Sequence, residues 1–284
     1  MMPMVFPIID FRVRGAGTEV ARSLHHHGLA VLVGHPIPRA LVEAVFADFA
    51  VFFDSPARNN YLFNPVDQDG YFPAPIDDRT AQAMGQDRKE FFHLYPWGQV
   101  PSEVSDAALR YRRLAIATGE TLLRWIDDQT PAGVAHQFSM PLHRMLEGGE
   151  GDTLLRIIRY PPSHDASHRS GVHRDTNLLT LLPAADGGGL QVCSANGAWI
   201  DVPNEPETLT VTSGVMLEMV SGGYYPSALH RVAAPGPSSV ATPRLAMPLF
   251  LHPADSVVLS HDQTAADYLR DRARERAGTS RPTL

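Results

Sequence analysis

Residues 153–202 read TLLRIIRYPPSHDASHRSGVHRDTNLLTLLPAADGGGLQVCSANGAWIDV. In this stretch, short runs of aliphatic and β-branched residues alternate with Gly, Pro, Asn and Ser, which is typical of closely spaced strands joined by turns. Similar runs continue at 208–214, 215–220, 227–234 and 244–252. Eight short runs at this spacing favour a β-sandwich, jelly roll or barrel over a parallel α/β sheet.

The residues before this stretch predict a mainly helical region. Periodicity, capping residues and turn signals predict the following elements: a strand at 5–11, a helix from Thr18 to His27 ended by Gly28, a strand at 29–34, a helix at 38–53, an irregular segment at 54–88, helices at 105–129 and 133–147, and a polar helix at 264–276. We therefore predict an α+β chain that forms a single structural unit over residues 1–284. It would comprise a mainly helical N-terminal region (1–150), a β core (151–262) and a C-terminal helix with a tail (263–284).

The composition argues against several classes of protein. The net charge is −7 and no dense basic segment is present, so we expect no nucleic-acid partner. Cys193 is the one cysteine, which excludes an intrachain disulfide and fits a reducing compartment. No apolar run has the length of a membrane span, and the N-terminus lacks a signal-peptide pattern. We therefore expect a cytoplasmic protein; the sequence carries no indication of its oligomeric state.

The segment GVHRDTNLLTLL, residues 171–182, contains a candidate metal site. His173 and Asp175 are two residues apart at the start of a β-like run, and side chains at i and i+2 of a strand share a face. A third ligand must come from elsewhere, and His230 lies in the strand-like run SALHRVAA. We expect a β-sandwich to bring these two strands face to face across its interior. Two histidines and one carboxylate that leave other coordination positions open are the ligand set of non-haem iron(II) oxygenases.

A second histidine pair offers a weaker alternative. His164 and His168 in PPSHDASHRS are spaced i, i+4, as in helical zinc sites. Two prolines precede the pair, and Asp165 occupies the position at which the zinc motif requires Glu. The sequence therefore favours the iron site over a zinc hydrolase.

A series of motifs extends this interpretation to most of the chain. In order they are IIRYPP (157–162), HRDTNLLTLL (173–182), GLQVCSANGAWIDV (189–202), SGVMLEMVSGGYYPSALHRV (213–232) and PRLAMPLFLHP (243–253). This series resembles the isopenicillin N synthase-like family of iron(II)- and 2-oxoglutarate-dependent dioxygenases. The N-terminal segments PIIDF, HGLAVLVGHPIPRALVEAVFADFAVFF and RKEFFHLYPWG resemble the corresponding parts of that family. The resemblance implies a double-stranded β-helix core, a form of jelly roll, with N-terminal helices packed outside it.

By motif position, the resemblance implies roles for five residues. His173, Asp175 and His230 match the iron ligands. Arg244 matches the arginine that pairs with the distal carboxylate of 2-oxoglutarate, which a guanidinium can grip with two hydrogen bonds. Tyr160 matches a tyrosine whose hydroxyl contacts a co-substrate or substrate carboxylate. A surface ion pair is the alternative for Arg244, but the apolar run around it argues against that interpretation.

Two positions depart from the family pattern. Ala246 stands where the family usually has Ser, two residues after the arginine. This removes a hydroxyl donor worth about 0.5–1.5 kcal/mol as an ordinary hydrogen bond. Val215 stands where a Gly-Asp pair is common.

The expected activity is the oxidation of an unactivated C–H bond in a small molecule. Iron(II), 2-oxoglutarate and molecular oxygen would take part, with hydroxylation as the default outcome. Asp175 as a ligand argues against halogenation. The segment RKEFFHLYPWG resembles bacterial members that act on free amino acids or small specialised metabolites.

Two alternatives stay open: an oxidase of the same fold that works without 2-oxoglutarate, performing cyclisation or desaturation, and a non-catalytic jelly-roll binding protein. Residues that could line the substrate pocket, each of which also fits a structural role, are Tyr71, Phe92, His93, Arg169 and Arg174.

Overall fold

The computed structural model describes residues 6–75, 87–148, 152–162, 169–194, 196–233, 243–261 and 263–279. Within these ranges the helices are α1 (Ala16–His27), α2 (Arg39–Asp54), α3 (Ala107–Gln129), α4 (Ala132–Ala135), α5 (Val215–Val220) and α6 (Ala265–Thr279). Two short 3-10 segments lie at Pro56–Tyr61 and Leu142–Leu146.

The helix ends follow from local backbone constraints. α1 ends where predicted, because Gly28 adopts the left-handed conformation (φ 67°) that favours glycine after a helix. It begins at Ala16, two residues before the predicted cap Thr18. The single helix predicted at 133–147 is wrong, since only α4 and a later 3-10 segment form there. Pro141 lies inside that range, and proline interrupts a helix and disfavours helical backbone at the residue before it.

The strands are numbered in chain order. They are β1 (Ile8–Asp10), β2 (Leu29–Val33), β3 (Gly70–Phe72), β4 (Glu90–Leu94), β5 (Leu154–Tyr160), β6 (Ser170–His173), β7 (Leu179–Pro183), β8 (Leu190–Cys193), β9 (Trp199–Asp201), β10 (Leu209–Ser213), β11 (His230–Val232), β12 (Arg244–Ala246), β13 (Leu249–Leu251), β14 (Val258–Ser260) and β15 (Gln263–Thr264).

Two sheets form the body of the fold. The large sheet has the order β1-β2-β10-β7-β13-β5-β4-β3, and β12 also pairs with β5. A smaller sheet has the order β6-β11-β8-β9, and β14 pairs with β15 separately. Buried residues of β2, among them Leu29 and Val31, pack against Leu190 and Val192 of β8, so the two sheets share an interior. This architecture agrees with the predicted α+β fold with a jelly-roll core.

The N-terminal residues contribute strands as well as helices. β2 pairs with β10, and β4 pairs with β5, so segments from before residue 95 extend the large sheet on both sides. The segment predicted to be irregular, 54–88, contains β3. One predicted strand is wrong, because residues 215–220 form α5 instead.

Helices α1, α2 and α3 cover one face of the large sheet. Val20 of α1, Phe49 of α2 and Leu122 of α3 are fully buried in one apolar cluster with Leu155 of β5 and Leu249 of β13. The opposite face of the large sheet is not covered by these helices and faces the smaller sheet. It is therefore available for a binding site.

Candidate active site

The inner face of the large sheet and the smaller sheet enclose a cavity of about 660 Å³. Side chains of β5 alternate between the two faces, as strand geometry requires. Leu155 and Ile157 pack toward the helices, whereas Arg156, Ile158 and Tyr160 line the cavity. Its volume lies within the usual range for a site that takes a small molecule.

Two of the predicted metal ligands are neighbours across a strand pair. His173 at the end of β6 lies opposite His230 at the start of β11, with ring centroids 4.3 Å apart. The prediction that these strands face each other across the interior is wrong, because they are adjacent in the smaller sheet. Adjacent pairing still brings the imidazoles together, since directly opposite residues point to the same face.

Asp175 completes the cluster from a turn. β6 ends at His173 and β7 begins at Leu179, so the prediction that both ligands lie on one strand is wrong. Asp175 Oδ1 is 3.8 Å from Nε2 of His173 and 3.7 Å from Nε2 of His230. One ligand atom from each residue lies within 4.8 Å of the others, so a single ion can reach all three.

Hydrogen bonds fix which imidazole nitrogen faces the cavity. Nδ1 of His173 is 2.8 Å from the carbonyl oxygen of Gly171, and Nδ1 of His230 is 2.9 Å from that of Ala228. Because a carbonyl can only accept, each Nδ1 carries the hydrogen and each Nε2 presents its lone pair. Burial lowers the pKa of His173, with a further contribution from the neighbouring His230. The neutral form that binds metals is thereby favoured.

The carboxylate is oriented in the same way. The hydroxyl of Thr180 donates to Asp175 Oδ2 at 2.6 Å, which leaves Oδ1 toward the two histidines. Asn177 donates to the Thr180 hydroxyl oxygen at 3.0 Å and holds it in place. Two imidazole nitrogens and one oriented carboxylate oxygen fit a divalent iron with open coordination positions.

The backbone at the start of α5 holds the turn that carries Asp175. The N–H of Val215 donates to the carbonyl of Asp175 at 2.8 Å, and the N–H of Gly214 donates to the carbonyl of Leu178 at 2.9 Å. Val215 therefore contacts the turn through its main chain, and nothing in the structure explains the departure of its side chain from the family pattern.

Arg244 is a buried cation in the wall of the cavity. It is 2 % exposed and lies across the β12–β5 pair from Tyr160, with its guanidinium carbon 5.3 Å from the tyrosine ring centroid. Its Nε donates to the carbonyls of Gly187 and Gly188 at 2.9 and 3.0 Å, and its buried Nη1 has no hydrogen-bond partner in the described structure. Burial is the largest influence on the pKa of Arg244 and lowers it. A buried guanidinium with an unused donor fits an anionic ligand rather than a surface ion pair.

The five candidate pocket residues divide into two groups. His93 and Arg174 line the cavity. Tyr71 and Phe92 instead belong to the buried cluster on the helix side of the sheet. Arg169 is buried and is not one of the residues that line the cavity.

The alternative zinc pair, His164 and His168, lies outside the described residues. Among the residues that are described, His173, Asp175 and His230 form the one group of three metal-binding side chains close enough to share an ion.

Thr180 and Arg156 are among the site residues that the sequence interpretation missed. Thr180 orients Asp175, and Arg156 lies in the cavity wall on the same face of β5 as Tyr160. The spacing of Arg156 and Tyr160, four residues apart in a strand, would have placed them on one face. No sequence signal marked Thr180.

Comparisons with known proteins decide the family. Residues 151–253 match the model of the 2OG-Fe(II) oxygenase superfamily. The chain is also 31% identical to Gibberellin 2-beta-dioxygenase of Phaseolus coccineus, over 87% of this chain and 76% of that protein. The chain belongs to the 2OG-Fe(II) oxygenase superfamily.

Other known proteins are similar to this chain in sequence or in fold. Mugineic-acid 3-dioxygenase of Hordeum vulgare is 27% identical over 89% of this chain and 75% of its own. The crystal structure of a Shewanella oneidensis protein described as an oxygenase has a TM-score of 0.87 and 38% identity, covering 96% of this chain and 99% of that one. The rice dioxygenase for auxin oxidation shares the fold, with a TM-score of 0.73, 23% identity and coverage of 95% and 96%.

The dioxygenase therefore uses iron(II) and 2-oxoglutarate to oxidise a small molecule, as the sequence predicted. Its family favours this activity over the 2-oxoglutarate-independent oxidase and the non-catalytic binding protein. No helix in the described ranges combines the length and apolar character needed to cross a bilayer.

Proposed function

We propose that this dioxygenase hydroxylates an unactivated C–H bond of a small molecule. In this proposal His173, Asp175 and His230 hold the iron(II), and Arg244 and Tyr160 hold the distal carboxylate of 2-oxoglutarate. One arrangement carries the proposal: three convergent ligand atoms and a buried guanidinium with an unused donor border the same cavity.

Each residue has a distinct task. Three protein ligands would leave coordination positions of an iron(II) ion open to oxygen and the keto acid, and this is the chemistry that the metal would supply. His173 and His230 present Nε2 to the ion, and Asp175 presents Oδ1. Arg244 offers a rigid guanidinium to the co-substrate carboxylate.

The surroundings of Arg244 are consistent with this task. Tyr160 lies directly opposite and can add a neutral hydroxyl donor, whereas Ala246 lines the same part of the cavity without one. Leu182 and Val232 supply apolar cavity wall. Such a wall limits the access of water to the reacting groups and so reduces side reactions.

Substitution of His230 by Ala tests the iron site. Removal of one of three ligands should lower iron affinity by more than the roughly 10–100-fold typical of losing an outer hydrogen-bond partner of a metal ligand. Anaerobic titration with iron(II) and 2-oxoglutarate should give the weak visible charge-transfer band in the wild type and not in the variant. Oxygen-dependent succinate release should be lost as well.

His136→Ala is the matched control, since His136 is exposed just after α4. It should keep both the band and the activity. A fully active His230→Ala enzyme would remove His230 from the iron site and overturn the proposal.

A further inference from the structure

Arg156 is a second cation in the cavity wall. The function proposed above assigns it no role. It lies on the cavity face of β5, four residues from Tyr160. At about 3.3 Å per strand residue, this separation is roughly 13 Å. Arg156 therefore stands at the end of the cavity away from the corner assigned to 2-oxoglutarate.

A histidine fixes the guanidinium of Arg156 through a cross-strand contact. His93 of β4 lies opposite Arg156 in the β4–β5 pair, and Arg156 Nε donates to His93 Nε2 at 2.8 Å. His93 Nδ1 is 3.0 Å from the carbonyl oxygen of Gln68, so this nitrogen carries the hydrogen and Nε2 is the acceptor. Burial, assisted by the charge of Arg156, lowers the pKa of His93 to about 3 and keeps the ring neutral at physiological pH.

Two aromatic rings border the same guanidinium. The guanidinium carbon is 4.9 Å from the ring centroid of Phe91 and 5.2 Å from that of Phe250. Contacts of this kind with aromatic rings restrict the orientation of a guanidinium while it keeps its charge. The result is a pre-oriented planar donor beside an apolar surface.

This donor is connected to the metal ligands by a row of neighbouring side chains. Phe250 of β13 lies opposite Thr180 of β7, and Thr180 holds Asp175. From β5 across β13 to β7 is two strand spacings, or roughly 10 Å. A molecule anchored on Arg156 can therefore extend over Phe250 to the iron site.

Two acids limit what this end of the cavity can accept. Asp152 and Asp255 also line the wall, and the pKa of Asp152 is raised by burial and by the charge of Asp255. Arg156 can offset the charge of one carboxylate, and the negative potential of the two acids disfavours further acidic groups on the substrate at this end of the cavity.

We propose that Arg156 binds the carboxylate of the substrate, and that the substrate is a small monocarboxylic acid with an apolar body. The oxidised carbon would lie several bonds from the acid group, given the distance from Arg156 to the metal ligands. Arg156 is thus a specificity-determining residue. This inference rests on the proposed function, because the iron and co-substrate positions define which end of the cavity remains for the substrate.

The test uses the protein loaded with nickel(II) and 2-oxoglutarate, so that binding is measured without turnover. The rise in melting temperature caused by nickel and 2-oxoglutarate is recorded first and tests the proposed site. Hexanoate, phenylacetate, 3-phenylpropanoate and 4-phenylbutanoate are then added, each beside its primary amide. A ligand that binds only the native state stabilises it by RT ln(1 + L/Kd), where L is the free ligand concentration, and so raises the melting temperature.

We expect at least one acid, and none of the amides, to raise the melting temperature of the wild type by about 2 °C or more at millimolar concentration. Arg156→Met keeps much of the side-chain volume between the two rings but removes the charge. It should respond to nickel and 2-oxoglutarate as the wild type does and bind the acid about 10-fold or more weakly. Arg156→Lys should retain part of the response.

Arg110→Gln is the matched control, because it removes one charge from an exposed position of α3. It should leave the acid response unchanged. The inference is overturned if the amides stabilise as well as the acids, if Arg156→Met keeps the full acid response, or if no acid changes the melting temperature. Loss of the initial response to nickel and 2-oxoglutarate in the wild type would count against the proposed function instead.

Discussion

At the scale of single residues, the candidate site depends on which nitrogen or oxygen atom of each side chain has no hydrogen-bond partner among the described residues and so remains available to a metal ion. The carbonyls of Gly171 and Ala228 engage Nδ1 of the two histidines and so reserve Nε2 for a metal. Thr180 engages one oxygen of Asp175 and reserves the other. Partners of this kind determine tautomer and orientation before any ion binds, so the ligand set needs little rearrangement.

Arg244 provides a prediction at this scale. Arg244→Met should raise the 2-oxoglutarate concentration needed for half-saturation by about 10–150-fold, the equivalent of a charged hydrogen bond worth about 1.5–3 kcal/mol. Isothermal titration with 2-oxoglutarate in the presence of nickel(II) measures this change. Metal affinity in the absence of 2-oxoglutarate should stay at the wild-type level, because Arg244 is not one of the three clustered ligands. An unchanged 2-oxoglutarate affinity would mean that another group holds the distal carboxylate.

The sequence could propose some of these residues and not others for a physical reason. His173, Asp175, His230, Tyr160 and Arg244, the proposed site residues, lie in motifs whose order is recognisable along the chain. The contact that orients Arg156 comes instead from His93, 63 residues earlier, and no local pattern encodes such a pair. Tertiary pairing of β4 with β5 creates it.

At the scale of secondary structure, the beginning of α5 positions the turn that carries Asp175. Gly214 immediately precedes α5, and its N–H donates to the carbonyl of Leu178. A Cβ at position 214 would lie 2.1 Å from the backbone oxygen of Asn177, far inside contact distance. The close approach of α5 to the turn therefore requires glycine at this position.

Gly214→Ala should displace the turn that carries Asp175, because the clash is with backbone rather than with a flexible side chain. We expect a loss of stability of about 1–3 kcal/mol, as for overpacked interiors, and weaker iron binding. Urea unfolding and anaerobic iron titration measure the two effects. Gly133→Ala is the control, since a Cβ there meets no atom within 4 Å. Equal stability and iron affinity in the two variants would show that α5 does not fix the turn.

The same region shows why the sequence predicted the secondary structure only in part. VMLEMV at 215–220 was predicted to be a strand, but it is a helix of 6 residues. A short apolar run fits a buried strand or a buried helical turn equally well, and only its packing decides. Asp175 was likewise assigned to a strand, whereas its turn depends on hydrogen bonds to α5 that lie about 40 residues away in sequence.

At the scale of the whole molecule, the N-terminal region and the jelly roll share one sheet. We propose that residues 1–284 form a single structural unit, with its divisions at 150 and 262 marking differences of composition rather than separate domains. Four registered residue pairs join β2 to β10, and five join β4 to β5. Unfolding of the N-terminal region alone would expose both edges of the central strands and the apolar face beneath α1, α2 and α3.

This arrangement predicts one cooperative unfolding transition, which two tryptophan variants can test. Trp97→Phe/Trp199→Phe leaves Trp125 of α3 as the reporter of the helical region, and Trp97→Phe/Trp125→Phe leaves Trp199 of β9 as the reporter of the smaller sheet. Within each variant, urea unfolding followed by tryptophan fluorescence and by far-ultraviolet circular dichroism should give the same midpoint, because two-state unfolding makes all probes coincide. Comparison within a variant removes the effect of the substitutions on stability. If Trp125 reported an earlier transition than circular dichroism, the N-terminal region would be a separate unit. In that case β4, which carries His93, could detach from β5 while the proposed iron site remained folded, and the orientation of Arg156 would be lost before the proposed metal ligands separate.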